Sequence, residues 1–204
     1  MNPFLAAPAG RALRTAALTA AALVATAVPA VASQTSHHDR TGDVLRIGVE
    51  DGSSTPQPEW AQGDVQRIRA GHRTHRVGAR LALREVRRRT DNSFFFRIHT
   101  PEGRFEVDGF TSQDHPHGVW YLISPNRPRP TPCTGLRHRV DYRDERVSVS
   151  VPRRCLGRPA RVRVGAAAQT WIDAAEQTRL DDAYSTGQVE HITVGPWLRR
   201  ASVW

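Results

Sequence analysis

Few residues in this chain have both the type and the spacing to do chemistry. Asp114-His115-Pro116-His117 sets two imidazoles at i and i+2 beside a carboxylate, on a proline-containing loop. Such a loop would bind Zn2+ or Cu2+ once a further ligand arrived, with His72, His75 or His99 as the available donors. The bland reading is a solvated turn between Phe110 and Val119, since H-x-H alone is a weak motif. A second set is acidic. Asp39 and Asp43 flank Gly42 at i and i+4, and Asp181-Asp182 lies near the other end of the chain. The ends of a sandwich domain often meet. Four carboxylates would then suit calcium, a hard cation that takes oxygen ligands. Ordinary turn chemistry competes with that reading, because Asp and Gly are also what a strand-entry turn uses.

A third set is basic. All 29 basic residues are arginine, against 20 acids, which gives a formal charge of +9. Arg76, Arg80, Arg84, Arg97, Arg137 and Arg139 alternate with apolar neighbours and so point away from a core. If several share one sheet, they form a plate for an anionic partner such as a cell-wall glycan or an anionic polymer. Interleaved Glu85, Glu106, Asp108 and Asp141 favour the alternative of cross-strand ion pairing. Nothing in the pattern selects a specific nucleic acid. Five tryptophans form a fourth set. Exposed indoles stack on sugars, but core filling is their more frequent use, and Trp60 and Trp204 are the two placed to be exposed.

Several activities lack the residues they need. The chain has no G-x-S-x-G elbow, Walker A loop, H-E-x-x-H or S-x-x-K. Its two cysteines, Cys133 and Cys155, are best explained as a disulfide, which leaves no thiol nucleophile. No cofactor is expected, calcium being the one ion the acids suit.

These residues need elements to hold them. Period-two alternation recurs around Leu45–Val49, Val77–Leu83, Phe94–Ile98, Phe105–Val107, Val147–Val151 and Val162–Ala166, with turn residues between the runs. Trp120-Tyr121-Leu122-Ile123 is more continuously apolar and reads as a central strand. No long amphipathic helix emerges, and Ala166–Ala183 has room for one short turn or helix at Ala174-Ala175-Glu176. Eight or nine short strands predict an all-β fold, a two-sheet antiparallel β-sandwich, with a jelly roll as the near alternative.

The cysteines flank a hairpin whose turn is Arg143-Asp144-Glu145. Matching apolar residues across it pairs Val140 with Val149 and Tyr142 with Val147, and leaves the disulfide to clip the open end. Gln62-Gly63-Asp64-Val65 repeats the phrase Gly42-Asp43-Val44, which reads as shared turn chemistry.

Residues 1–32 have the pattern of a secretory signal peptide. Arg11 and Arg14 precede an Ala/Leu/Val run, and Ala30-Val31-Ala32 gives a small-x-small cleavage site. A polar leader (33–42), a β-sandwich (43–196) and a C-terminal tail (197–204) follow, with no membrane span expected after signal removal.

Asp39–Val44, Phe94-Phe95-Phe96-Arg97-Ile98, Val140-Asp141-Tyr142 and Val149–Gly157 together resemble a group of secreted actinobacterial proteins of uncharacterised function. The resemblance implies export and a β fold, and carries no activity. The expectation is an exported, non-catalytic binding module of the extracellular space or cell envelope. A small metal-dependent hydrolase using the 114–117 loop is the alternative, and a purely structural or protein-interaction domain is a third.

Overall fold

A computed structural model describes residues 33–48, 51–125, 127–172, 177–185 and 192–200. The signal sequence read at residues 1–32, the short turn or helix at 174–176 and Trp204 lie outside them. The described chain is antiparallel β with one short 3-10 turn at Arg153–Leu156.

Its strands are β1 (Gln34–His38), β2 (Leu45–Gly48), β3 (Ser54–Pro56), β4 (Val65–His72), β5 (Arg76–Leu83), β6 (Asn92–Thr100) and β7 (Gly103–Thr111). They continue as β8 (Val119–Ser124), β9 (Arg127–Pro130), β10 (Arg137–Asp141), β11 (Arg146–Pro152), β12 (Arg161–Ile172), β13 (Gln177–Asp182) and β14 (Leu198–Arg199). A five-stranded sheet runs β1-β4-β5-β11-β10. A nine-stranded sheet runs β3-β2-β13-β12-β6-β7-β8-β9, with β14 added on β12.

The alternation seen in the sequence explains why these segments form strands and which side of each is buried. On the five-stranded sheet Val65, Ile68, Val77, Leu81, Val147 and Val151 are fully buried. They meet Phe94, Phe96, Ile98, Val107, Leu122, Val162 and Val164 from the other sheet in one continuous core. The expected sandwich is therefore the fold, and the Cys133–Cys155 disulfide is formed, with Cα atoms 5.8 Å apart. Among the described residues no helix is long and apolar enough to cross a membrane.

Three local expectations need correction. Within the polar leader, Gln34–His38 is an edge strand paired with β4. The alternation in Gln34–His38 is of half-buried and exposed polar residues, so an apolar periodicity search passes over it. Trp120–Ile123 belongs to β8, which lies next to the edge strand β9 rather than at the sheet centre.

The cysteine hairpin also pairs differently. Val140 faces Val147, His138 faces Val149 and Asp141 faces Arg146. The faces were read correctly, but the register is two residues away from the one the apolar match suggested. The cause is the turn. Asp141 accepts the Asp144 N–H through Oδ1, at 3.2 Å, and Glu145 takes a left-handed φ of 51°. Residues 142–145 thus close a four-residue loop and leave Tyr142 outside the ladder, where its hydroxyl donates to the Pro116 carbonyl at 2.7 Å.

Candidate functional site

The sheet register gathers the arginines on the outer face of the five-stranded sheet. Ser36 faces Arg69, Arg69 faces Arg80, Arg80 faces Ser148, and Ser148 faces Arg139. One row across all five strands is therefore made of arginine and serine. The neighbouring row runs Gln34, Gly71, Gly78, Ser150, Arg137. Its two central glycines leave the floor of the sheet bare, and arginines rise on either side. The result is a concavity of about 750 Å3 lined by Arg69, Arg73, Arg76, Arg80, Arg137 and Arg139, together with serines, and by no carboxylate.

Arg76 is anchored there. Its Nε donates to Ser150 Oγ at 2.6 Å, and its Nη2 donates to the carbonyls of Gly135 at 2.7 Å and Ser150 at 2.5 Å. Burial, and then the charges of Arg137 and Arg154, press its pKa down, as expected where positive charge is left unneutralised. Arg139 alone of the six has a carboxylate partner among the described residues, Asp141 at 2.6 Å. Arg69 and Arg80 stand directly opposite each other, an arrangement of like charges that destabilises a sheet.

Two of the expected anion-binding residues are elsewhere. Arg84 lies 3.6 Å from Asp64. Arg97 belongs to the nine-stranded sheet, 3.2 Å from Glu106 and 2.9 Å from Asp108. These two therefore lie outside the concavity, each beside a carboxylate. Arg69 and Arg73 were missed because Val65–His72 shows broken alternation, and its register shifts between Val65 and Arg67.

The acidic residues converge at one end of the sandwich. Asp39 follows β1 and Asp64 precedes β4, both from the five-stranded sheet. Asp43 precedes β2 and Asp181 lies in β13, both from the nine-stranded sheet. One carboxylate oxygen from each of Asp39, Asp43 and Asp181 lies within 4.8 Å of the others. Asp181 is 2% exposed, and its Oδ2 accepts the Val65 N–H at 2.6 Å across the two sheets. Asp64 is 0% exposed and accepts the Gly42 N–H through Oδ2 at 3.0 Å. Gly42 and Gly63 both hold left-handed φ angles, 84° and 79°, so each phrase turns its aspartate inward in the same way.

Burial, with the charges of Asp39, Asp43 and Asp64 added, pushes Asp181 up to about 9. Burial and the neighbouring acids raise Asp39 to about 7, against the Arg40 N–H that favours its charged form. Asp43 and Asp64 are raised for the same first reason.

Asp182, also expected in this set, raises Asp39 and Asp43 by its charge but lies outside the trio, and its oxygens are engaged by backbone and hydroxyl donors. Its oxygens accept the Tyr184 N–H, the Ser185 hydroxyl and the Thr193 N–H at 3.0, 3.3 and 2.6 Å, tying the chain beyond β13 to the sheet. Asp64 was the residue missed, and the repeated Gly-Asp-Val phrase was its signal.

Among the described residues, the side chains of the 114–117 loop form no group of three candidate ligands close enough to share an ion. Asp114, His115 and His117 are exposed, and the acidic trio is the one group of three candidate ligands found among the described residues. Backbone atoms do this loop's bonding. The His115 carbonyl accepts the Gly118 N–H at 2.9 Å, and the His117 carbonyl accepts the Trp120 indole N–H at 3.1 Å. His72 is fully buried, with Nδ1 3.2 Å from the Leu198 carbonyl, and His99 sits in β6 opposite Arg104 and Arg163. Trp60 lies beneath the Arg179 guanidinium, 5.1 Å from the ring centre, and Trp120 stacks on His138 at 5.0 Å.

No protein-family model, curated protein or solved structure matches the chain. Its function must be argued from these two clusters.

Proposed function

We propose that this chain is a non-catalytic binding module that lays an extended acidic glycan across the arginine concavity of its five-stranded sheet. The carrying observation is the Arg69–Arg80 pair, set opposite each other in a cleft with no carboxylate in its lining. Like charges placed face to face weaken a free sheet, and a bound polyanion removes that repulsion. Guanidinium forks match the geometry of carboxylate, sulfate and phosphate groups. The cleft takes its lining from all five strands of the sheet, which suits a chain laid across them rather than a small molecule. Serine hydroxyls from Ser36, Ser148 and Ser150 supply neutral donors between the charges.

The setting is extracellular or in the cell envelope. The disulfide supports an oxidising compartment, and the signal-like residues 1–32 supply the route.

The test is retention on immobilised dextran sulfate against neutral dextran, in chelator so that no metal bridges the polymer. Retention on the sulfated resin should fall steeply with salt. Arg80→Glu should abolish it, because the substitution places a carboxylate in the middle of the row. Arg104→Glu, on the nine-stranded sheet, should leave it nearly intact. Equal loss from both variants would reduce the reading to bulk charge and refute the site.

A further inference from the structure

The acidic end of the sandwich holds more carboxylate than its surroundings neutralise. Arg84 reaches Asp64 at 3.6 Å from a partly exposed position, and Arg40 acts on Asp43 from nearby. Both oxygens of Asp43 are buried without a hydrogen-bond partner, as are Asp39 Oδ2 and Asp64 Oδ1. An isolated buried carboxylate is expensive, and several together are more so. Asp64 is wholly inaccessible, yet one of its oxygens has no donor. Its Oδ2 accepts the N–H of Gly42, next to Asp43, and the N–H of Val65, the residue after it, goes to Asp181, so it backs the same cluster.

We propose that Asp39, Asp43 and Asp181, backed by Asp64, bind a calcium ion that joins the ends of the two sheets. The spacing fits. Calcium takes oxygens at about 2.3–2.6 Å, so oxygens on opposite sides of one ion stand about 5 Å apart. The three carboxylate oxygens lie within 4.8 Å of one another. Magnesium draws its ligands in to about 2.0–2.1 Å in a strict octahedron, a tighter cage than irregular loop ends provide. Zinc prefers nitrogen and sulfur donors, which this group lacks. The positions also give the ion a role. Asp39 and Asp64 adjoin β1 and β4 of one sheet, and Asp43 adjoins β2 and Asp181 lies in β13 of the other. Ligands so far apart in sequence come together only in the folded chain, so binding adds to folding stability.

The experiment is a calcium titration of the disulfide-bonded, chelator-stripped protein, followed by calorimetry and by thermal unfolding. The expected result is one-to-one binding with a melting temperature that climbs with calcium concentration. Magnesium at the same concentration should give a much smaller rise. Asp43→Asn and Asp39→Asn should fold in chelator, since each removes repulsion, and should lose the calcium-dependent rise. Asp114→Asn, in the histidine loop, should keep it. A melting temperature indifferent to millimolar calcium would overturn the proposal, as would an undiminished response in both asparagine variants.

Discussion

At the scale of single residues, the same side chain type serves opposite ends here, and its neighbours decide which. His72 is the clearest titrating case. It is fully buried against the Leu198 carbonyl, and its Nε2 has no partner. Burial, and then the charges of Arg153 and Arg200, lower its pKa despite the Leu198 bond. The folded state therefore resists a proton that the unfolded chain accepts near pH 6.5. Stability contributed by neutral His72 is present above that pH and is lost as pH falls below it. Urea titrations across pH 5 to 8 should show this loss as a difference between the protein and a variant without the imidazole. His72→Asn, whose amide nitrogen takes the place of Nδ1 against the Leu198 carbonyl, should lack that acid-side loss. His99 and His138 are lowered too, by burial first, and slope the same way, while Asp39 and Asp181, raised to about 7 and about 9, slope the opposite way. Asp39, Asp43 and Asp181 of the acidic cluster were legible in the sequence through chain-end proximity. Asp64 was not, because a repeated turn phrase does not reveal that its copies meet in space.

At the scale of elements, the hairpin of β10 and β11 is the exposed side of the arginine cleft. β10 is an edge strand, paired on one side only, and it carries Arg137 and Arg139. The disulfide clips the chain just beyond both strands, and the Arg154 guanidinium also holds the Thr134 carbonyl. Replacing Cys133 and Cys155 with alanine should cost about 3 kcal/mol in the chain-entropy account. Hydrogen exchange should rise first across 137–141, and retention on dextran sulfate should weaken with it. Unchanged retention in a protein with a loosened β10 would remove that strand from the binding face. This hairpin also shows how far a sequence reaches. Alternation located both strands and their faces. The register was set by the Asp141–Asp144 turn bond and the left-handed Glu145, which apolar matching does not register. The edge strand β1 was hidden for a related reason, since its own residues are polar on both faces.

At the scale of the whole molecule, one core serves both sheets, so stability should be shared rather than local. Phe96 lies at its centre, fully buried, with its ring 6.4 Å from Trp120. Phe96→Ala should remove about 3–5 kcal/mol. Far-UV and near-UV signals should still melt together, as for a single cooperative unit. Separate transitions would mean that the two sheets unfold independently.

The outer strands have a consequence of a different kind. β3 is three residues long and ends at Pro56, and β9 ends at Pro130, neither of which has an amide proton to offer a further strand. On the other sheet, β1 reads QTSHH and β10 reads RHRVD, with polar or charged side chains along each rim. Long, flat, apolar rims are what allow folded β proteins to recruit their own copies into fibres. Among the described strands, this fold ends both sheets in something short, proline-stopped or hydrophilic, and so resists growing into a polymer of itself even when copies are crowded together.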